Sequence, residues 1–194
     1  ASYWQAIYES GTTGWDLGRE APAWSKLLSM HDIGRGRLVM LGCGRGHDAV
    51  WFAQQGFDVT AVDFAKSAVE ATRENAARRG VQLTGLEADL FHLSSAEQGT
   101  FDVLVEHTCF CAIEPSRRRE FARVAAELVK PGGHIVGLLF WQTPPGGPPF
   151  ATSPDEVRAL FGDAFDILRI EDNPVSVERR AGREGWVVLR RKDS

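Results

Sequence analysis

Residues 37–48 read RLVMLGCGRGHD, a short apolar run that breaks into three alternating glycines and then opens a helical stretch. A strand that ends in glycine and hands over to a helix points to layers, with helices packed on a sheet. The same alternation continues down the chain. Residues 48–55 read as a helix stopped by Gly56, and residues 57–62 as a β-rich run that closes on Asp63. Residues 65–79 are rich in alanine and charge and stop at Gly80, so they read as a second helix. Further strands are expected over 82–87, 101–106 and 134–140. A helix over 116–130 is expected to end at Pro131-Gly132-Gly133. QTPPGGPP at 142–149 can form only a loop. A short helix over 155–161 and two strands over 165–170 and 186–189, joined as a hairpin-like pair, finish the chain. The expected fold is α/β and Rossmann-like, in three layers. A mostly parallel sheet carries helices on both faces and one antiparallel strand near its C-terminal end.

The 194 residues suit one domain, 1–194, with no repeat and no linker. The net charge is −4, from 22 basic and 26 acidic side chains, which gives no basic stripe for nucleic acid. The arginines of 117–119 and the basic run 190–192 are expected on solvated helix and strand ends. No apolar run is long enough to span a membrane, and the polar, aromatic opening does not read as a signal peptide. Three cysteines, an odd number, argue against a disulfide framework and suit a reducing, cytoplasmic setting. The oligomeric state stays open, with a monomer favoured.

Glycines at 42, 44 and 46 permit a tight turn and close approach of a ligand, and the helix beyond offers free N–H groups. Asp63, at the end of the second strand, stands where an acid bonds ribose hydroxyls. A dinucleotide and S-adenosylmethionine both fit such a turn. The G-x-G-x-G spacing, a further acid at Asp89 after the third strand, and the antiparallel end of the sheet favour S-adenosylmethionine.

Those features resemble the class I methyltransferase fold with its seven-stranded sheet. The flanks narrow the resemblance. Trp4-x3-Tyr8-x6-Trp15-Asp16-Leu17-Gly18-Arg19 is similar to the W-D-x-G-R opening of the thiopurine methyltransferase superfamily. LGCGRGHD, FCAIEPSRR, GGPPF and EDNPVS are similar, in order, to blocks of its halide/thiol branch. The resemblance implies methyl transfer from S-adenosylmethionine to iodide, bromide, chloride, thiocyanate or bisulfide, leaving S-adenosylhomocysteine. It places the cofactor contacts on Trp4, Tyr8, Trp15, Gly42, Asp63, Asp89, Leu90 and His107, and the glycine turn adds Gly44. Residues 1–30 would then form a lid, since aromatic faces attract a sulfonium cation by about 0.5–2 kcal/mol. The chain departs from the family in four places. Met40 stands where an acid is common, Glu106 where Asp is usual, and His107 and Phe140 where Tyr is usual.

Cys109 and Cys111 follow His107 without zinc spacing, so no metal is expected, and both read as pocket wall. Halides, thiocyanate and bisulfide are already anionic nucleophiles, so no catalytic acid or base is expected. The substrate pocket is expected to combine Trp15, Phe140 and Phe150. Three other readings stand beside this one: a thiopurine or other small-thiol methyltransferase, a nicotinamide dehydrogenase, and a non-catalytic sensor of the methyl donor.

Overall fold

The computed structural model describes residues 2–11, 13–93, 97–173 and 175–193. Two helices open the chain, α1 (Ser2–Ser10) and α2 (Ala23–Met30). They are followed by β1 (Arg37–Leu41), α3 (His47–Gln54), β2 (Asp58–Asp63), α4 (Lys66–Arg78), β3 (Thr84–Glu87) and β4 (Phe101–His107). The remainder is α5 (Arg118–Leu128), β5 (Val129–Phe140), α6 (Pro154–Phe161), β6 (Phe165–Asp172) and β7 (Glu184–Arg191). The sheet has seven strands in the order β3-β2-β1-β4-β5-β7-β6. β7 runs antiparallel to both β5 and β6, as the absence of a helix between the last two strands suggested.

Alternation along each strand feeds two cores. In β1, Val39 and Leu41 join Phe121, Leu128 and Phe161 on the α5–α6 face. Leu38 and Met40 join Trp24, Leu27 and Phe52 on the α2–α3 face. With both faces covered, a central strand has to be apolar at consecutive positions, which is why RLVML reads as one unbroken run. Each fully buried leucine or phenylalanine adds about 1.5–3 kcal/mol over leaving it exposed. α6 shows how local chemistry sets a boundary. Ser153 accepts a hydrogen bond from the Glu156 amide at 3.1 Å, Pro154 fills the first turn, and Asp155 and Glu156 face the positive end of the helix dipole.

Two expectations change. Pro131-Gly132-Gly133 does not separate α5 from a later strand. β5 already begins at Val129, opposite Phe101, and the next partner pair is Val103 with His134. The extra residues are absorbed as an irregularity in the ladder, with Gly132 at φ 76°. Arg118 is not solvated, because its side chain is 2% exposed. It bonds Glu156 at 2.7 Å and the carbonyls of Phe150 and Ala151 at 3.1 Å, so it ties the proline-rich loop to α5. α1 ends at Ser10, so Trp4 and Tyr8 stand on the helix and Trp15 in a turn beyond it. Among the described residues no helix is long and apolar enough to cross a membrane.

Candidate functional site

The carboxyl ends of β1, β2, β4 and β5 open onto one cleft of about 700 Å³, lined by Gly42, Asp63, Thr108 and Phe140 among others. β1 and β4 are neighbours although β2 and β3 lie between them in sequence, so this is the switch point of the sheet. The turn after β1 holds Gly42, Gly44 and Gly46 at φ 64°, 56° and 75°, a region costly for any residue with a Cβ. At Gly42 a Cβ would also stand 2.7 Å from the Cys109 sulfur, so the turn and the loop after β4 touch through a bare backbone. Asp63 is buried and its two oxygens accept from the amides of Gly44 (3.0 Å) and Ala65 (2.9 Å). Burial raises its carboxyl above the ordinary value, against those amides. A carboxylate with two bonds made can still accept two more.

α1 packs on α4 and brings Trp4 and Tyr8 over the cleft. Trp15 meets both rings edge-on, at centroid distances of 5.4 and 5.8 Å. A Cβ at Gly44 would be 3.1 Å from the Tyr8 hydroxyl, so α1 closes directly on the glycine turn. Burial, then the nearby Asp63, keeps that phenol protonated far above its ordinary range. At the far end Asp89 caps the short turn Leu90–His92, accepting from the Phe91 amide at 2.9 Å. Asp89 and Leu90 both line the cleft, and the Arg117 guanidinium stacks 3.6 Å from the Phe91 ring centroid. A second pocket of about 50 Å³ adjoins the cleft at the glycine turn and reaches Gly44 and His107. The nine residues expected to hold the cofactor therefore all stand on these two walls.

Phe140 lines the cleft, but Phe150 does not. The Phe150 ring packs beneath Gly147, its amide bonds the Cys111 carbonyl at 2.7 Å, and Pro148 and Pro149 face the cleft instead. The EDNPVS block brings Asn173 and Ser176 onto the buried Glu184, while its Pro174 lies outside the described residues. Cys109 and Cys111 form part of the cleft wall, and the Cys111 thiol bonds the Thr108 carbonyl at 3.4 Å. Burial pushes the Cys111 thiol up to about 12. Among the described residues no group of three or more His, Cys, Asp or Glu could hold a metal ion.

The sequence reading missed a buried polar network at this end of the cleft. His107 Nδ1 lies 2.5 Å from Asp48 Oδ2, and its Nε2 lies 2.8 Å from Nη1 of Arg180. A guanidinium can only donate, so Nε2 offers its lone pair and the ring proton sits on Nδ1, aimed at Asp48. This looks like an acid–base dyad, but the outward nitrogen is already taken. Burial would raise Asp48, yet the ring beside it and the Ala21 amide outweigh that and hold its carboxyl below the ordinary value. Arg180 also bonds Glu184 Oε1 at 3.1 Å and the Trp15 carbonyl at 2.5 Å, and it stacks 5.3 Å from the Phe140 ring centroid. The only hint of this in the sequence was the tandem arginine at 179–180 just past the EDNPVS block.

Glu106, at the end of β4, is fully enclosed. Its Oε1 accepts from the amides of Cys109 (2.9 Å) and Phe110 (2.7 Å), which shapes the cleft wall, while Oε2 has no partner among the described residues. Burial pushes its carboxyl up to about 7 from an ordinary 4.5, more than those amides lower it. The folded state therefore holds a proton that the unfolded state has lost. Stability is fully present below pH 4.5 and falls as pH rises towards 7, by about 3 kcal/mol. Glu106→Gln keeps an oxygen for both amides and cannot ionise. Its melting temperature is expected above that of the unmodified protein at pH 8, with the gap closing by pH 5. A gap that does not change with pH would contradict this.

The family model for thiopurine S-methyltransferase (TPMT) matches residues 1–192. A probable thiol methyltransferase 2 of Arabidopsis thaliana is 34% identical over 185 residues, covering 93% of this chain and 81% of that protein. Thiocyanate methyltransferase 1 of Brassica oleracea is 33% identical with the same coverage. The fold matches that of Burkholderia thailandensis 1,6-didemethyltoxoflavin-N1-methyltransferase, solved with S-adenosylhomocysteine. The TM-score is 0.78 at 22% identity, over 99% of this chain and 87% of that one.

Proposed function

Since this chain belongs to the thiopurine S-methyltransferase family, we propose that it methylates small soft nucleophiles at the expense of S-adenosylmethionine. The acceptors proposed are iodide, bromide, chloride, thiocyanate and bisulfide. The residues present fit the cofactor. The glycine turn leaves a bare backbone beside the Asp63 carboxylate, which retains acceptor capacity for ribose hydroxyls. Asp89 and Leu90 suit the adenine end, and Trp4, Tyr8 and Trp15 supply faces for a sulfonium. The small pocket, lined by Arg19 and Arg45, suits the amino-acid end and its carboxylate. When bound, S-adenosylmethionine supplies an electrophilic methyl group on a positively charged sulfur.

The observation that carries the acceptor class is Arg180. It is 4% exposed, yet it lines the cleft beside Phe140. Of its five N–H donors, three are spent on His107, Glu184 and Trp15. Arg180 lines a cleft walled by aromatics, where its remaining donors can hold an anion stripped of water. Positioning and desolvation are then the chain's contribution. With the His107 lone pair occupied by Arg180, the proposed displacement runs in line without a general base.

The test is S-adenosylhomocysteine release from purified protein across the five anions and a set of thiopurines. Turnover on iodide or thiocyanate supports the reading, and turnover confined to aromatic thiols would replace it with the thiopurine alternative. Phe140 adds a narrower expectation. It has no hydroxyl to hold a strongly hydrated anion, so soft ions should be favoured over chloride. Phe140→Tyr is expected to raise chloride turnover relative to iodide about fivefold, the worth of about one hydrogen bond. An unchanged ratio would remove Phe140 from the specificity argument.

A further inference from the structure

Four hydrogen bonds at this end of the cleft form a circuit that begins and ends on the N-terminal segment. The Ala21 amide donates to Asp48 Oδ1 at 2.8 Å, and Asp48 Oδ2 holds His107 Nδ1. His107 Nε2 then receives Arg180 Nη1, and Arg180 Nη2 donates to the Trp15 carbonyl. The adjacent Arg179 extends the clasp to the carbonyls of Gly14 (2.7 Å) and Asp16 (3.0 Å). On the other flank, the Asp16 carboxylate lies 3.5 Å from Arg45 of the glycine turn and 3.4 Å from His47 at the start of α3.

The imidazole is fixed from every side. Asp48 and Arg180 take its two nitrogens, and Trp24 meets it edge-on at 5.9 Å between centroids. Its side chain is 9% exposed, and that of Asp48 11%. A long arginine side chain left to itself spreads over many rotamers, and ordering it is costly. The bond to His107, beside that to Glu184, holds it in the rotamer that meets the Trp15 carbonyl. We propose that His107 and Asp48 are positioning residues: they hold the Arg180 guanidinium at the acceptor end of the cleft and, through it, hold residues 14–21 closed over the site. The acceptor half of this inference rests on the function proposed above, whereas the closure half does not.

His107→Phe fills the same space but cannot bond either neighbour. His107→Gln keeps an amide oxygen for Arg180 and an N–H for Asp48. A thermal melt of each variant establishes that it is folded. For His107→Phe, the KM for thiocyanate is expected to rise about tenfold with kcat changed much less, the worth of one charge-assisted hydrogen bond. Tryptic cleavage after Arg19 in the presence of S-adenosylhomocysteine is expected to become about as fast as without it, whereas in the unmodified protein the ligand slows cleavage. His107→Gln is expected to restore most of both effects. If both variants keep the original KM and the original protection, the imidazole is only a filler; if His107→Gln is as impaired as His107→Phe, the two hydrogen bonds are not what His107 contributes; either result overturns the proposal. If the unmodified protein methylates no anion, the proposed function fails, and the trypsin comparison still decides whether His107 governs closure.

Discussion

Arg180→Met is expected to lower kcat/KM for thiocyanate on the order of 100-fold and to destabilise the fold by about 3 kcal/mol, because two different things depend on one guanidinium. The first is the proposed anion binding, through the N–H groups that its internal partners leave unspent. The second is internal pairing. Glu184 is 4% exposed and receives Arg180, Asn173 and Ser176 together. Removing Arg180 leaves that carboxylate buried without its cation. The two effects separate in a second variant. Arg180→Met combined with Glu184→Gln removes both charges, so much of the lost stability should return in a denaturant titration while thiocyanate binding stays weak. Arg180→Lys keeps the charge but loses the fork that reaches His107, Glu184 and Trp15 at once, so it should recover only part of the activity. If the double variant binds thiocyanate normally, Arg180 is a structural residue and the acceptor must be held elsewhere in the cleft.

The second large effect is expected at Gly42. Gly42→Ala places a methyl group at φ 64°, 2.7 Å from the Cys109 sulfur and 2.8 Å from the Cys109 Cβ. The left-handed backbone costs about 1–2 kcal/mol and the overpacking about 1–3 kcal/mol more, most of it felt where the turn meets the loop after β4. The loop can yield only by moving Cys109, whose amide is bonded to Glu106. S-adenosylhomocysteine affinity, measured by calorimetry, is therefore expected to fall on the order of 100-fold or more. Cys109→Gly removes both clashing atoms. In the Gly42→Ala, Cys109→Gly double variant a clear part of the affinity should return, since neighbouring changes that share one contact are not additive. Additive losses would mean that the φ angle, rather than the contact with Cys109, sets the requirement for glycine.

The fold was legible because its signals are local and periodic. RLVML between Gly36 and Gly42, the glycines at 42, 44 and 46, and the Ser153-Pro154-Asp155-Glu156 start of α6 each act within a few residues. The same holds for the wall residues Gly42, Asp63 and Asp89, which occupy strand ends, and strand ends are fixed by where the apolar runs stop. Phe150 lies off the cleft lining for the opposite reason. Its neighbourhood in sequence is the loop that borders the cleft, but Gly147 and the buried Arg118 turn that loop so that Pro148 and Pro149 face inward. Arg118 itself reads as one of three surface arginines until α6 brings Glu156 to it.

What the sequence determined by itself was the succession of strands and helices from Arg37 onward, the glycine turn, the acids that follow the strands and the aromatic N-terminal segment. These depend on periodicity and on backbone conformations that few residues tolerate. What only the tertiary structure decided was the charge arrangement of the cleft. His107 is 59 residues from Asp48 and 73 from Arg180, and Trp15 is 165 from Arg180. No pattern along the chain marks such partners. Burial makes the pairing obligatory, because a charge withdrawn from water must be matched where it stands, and its location is set by how β4, α3 and the turn before β7 pack together.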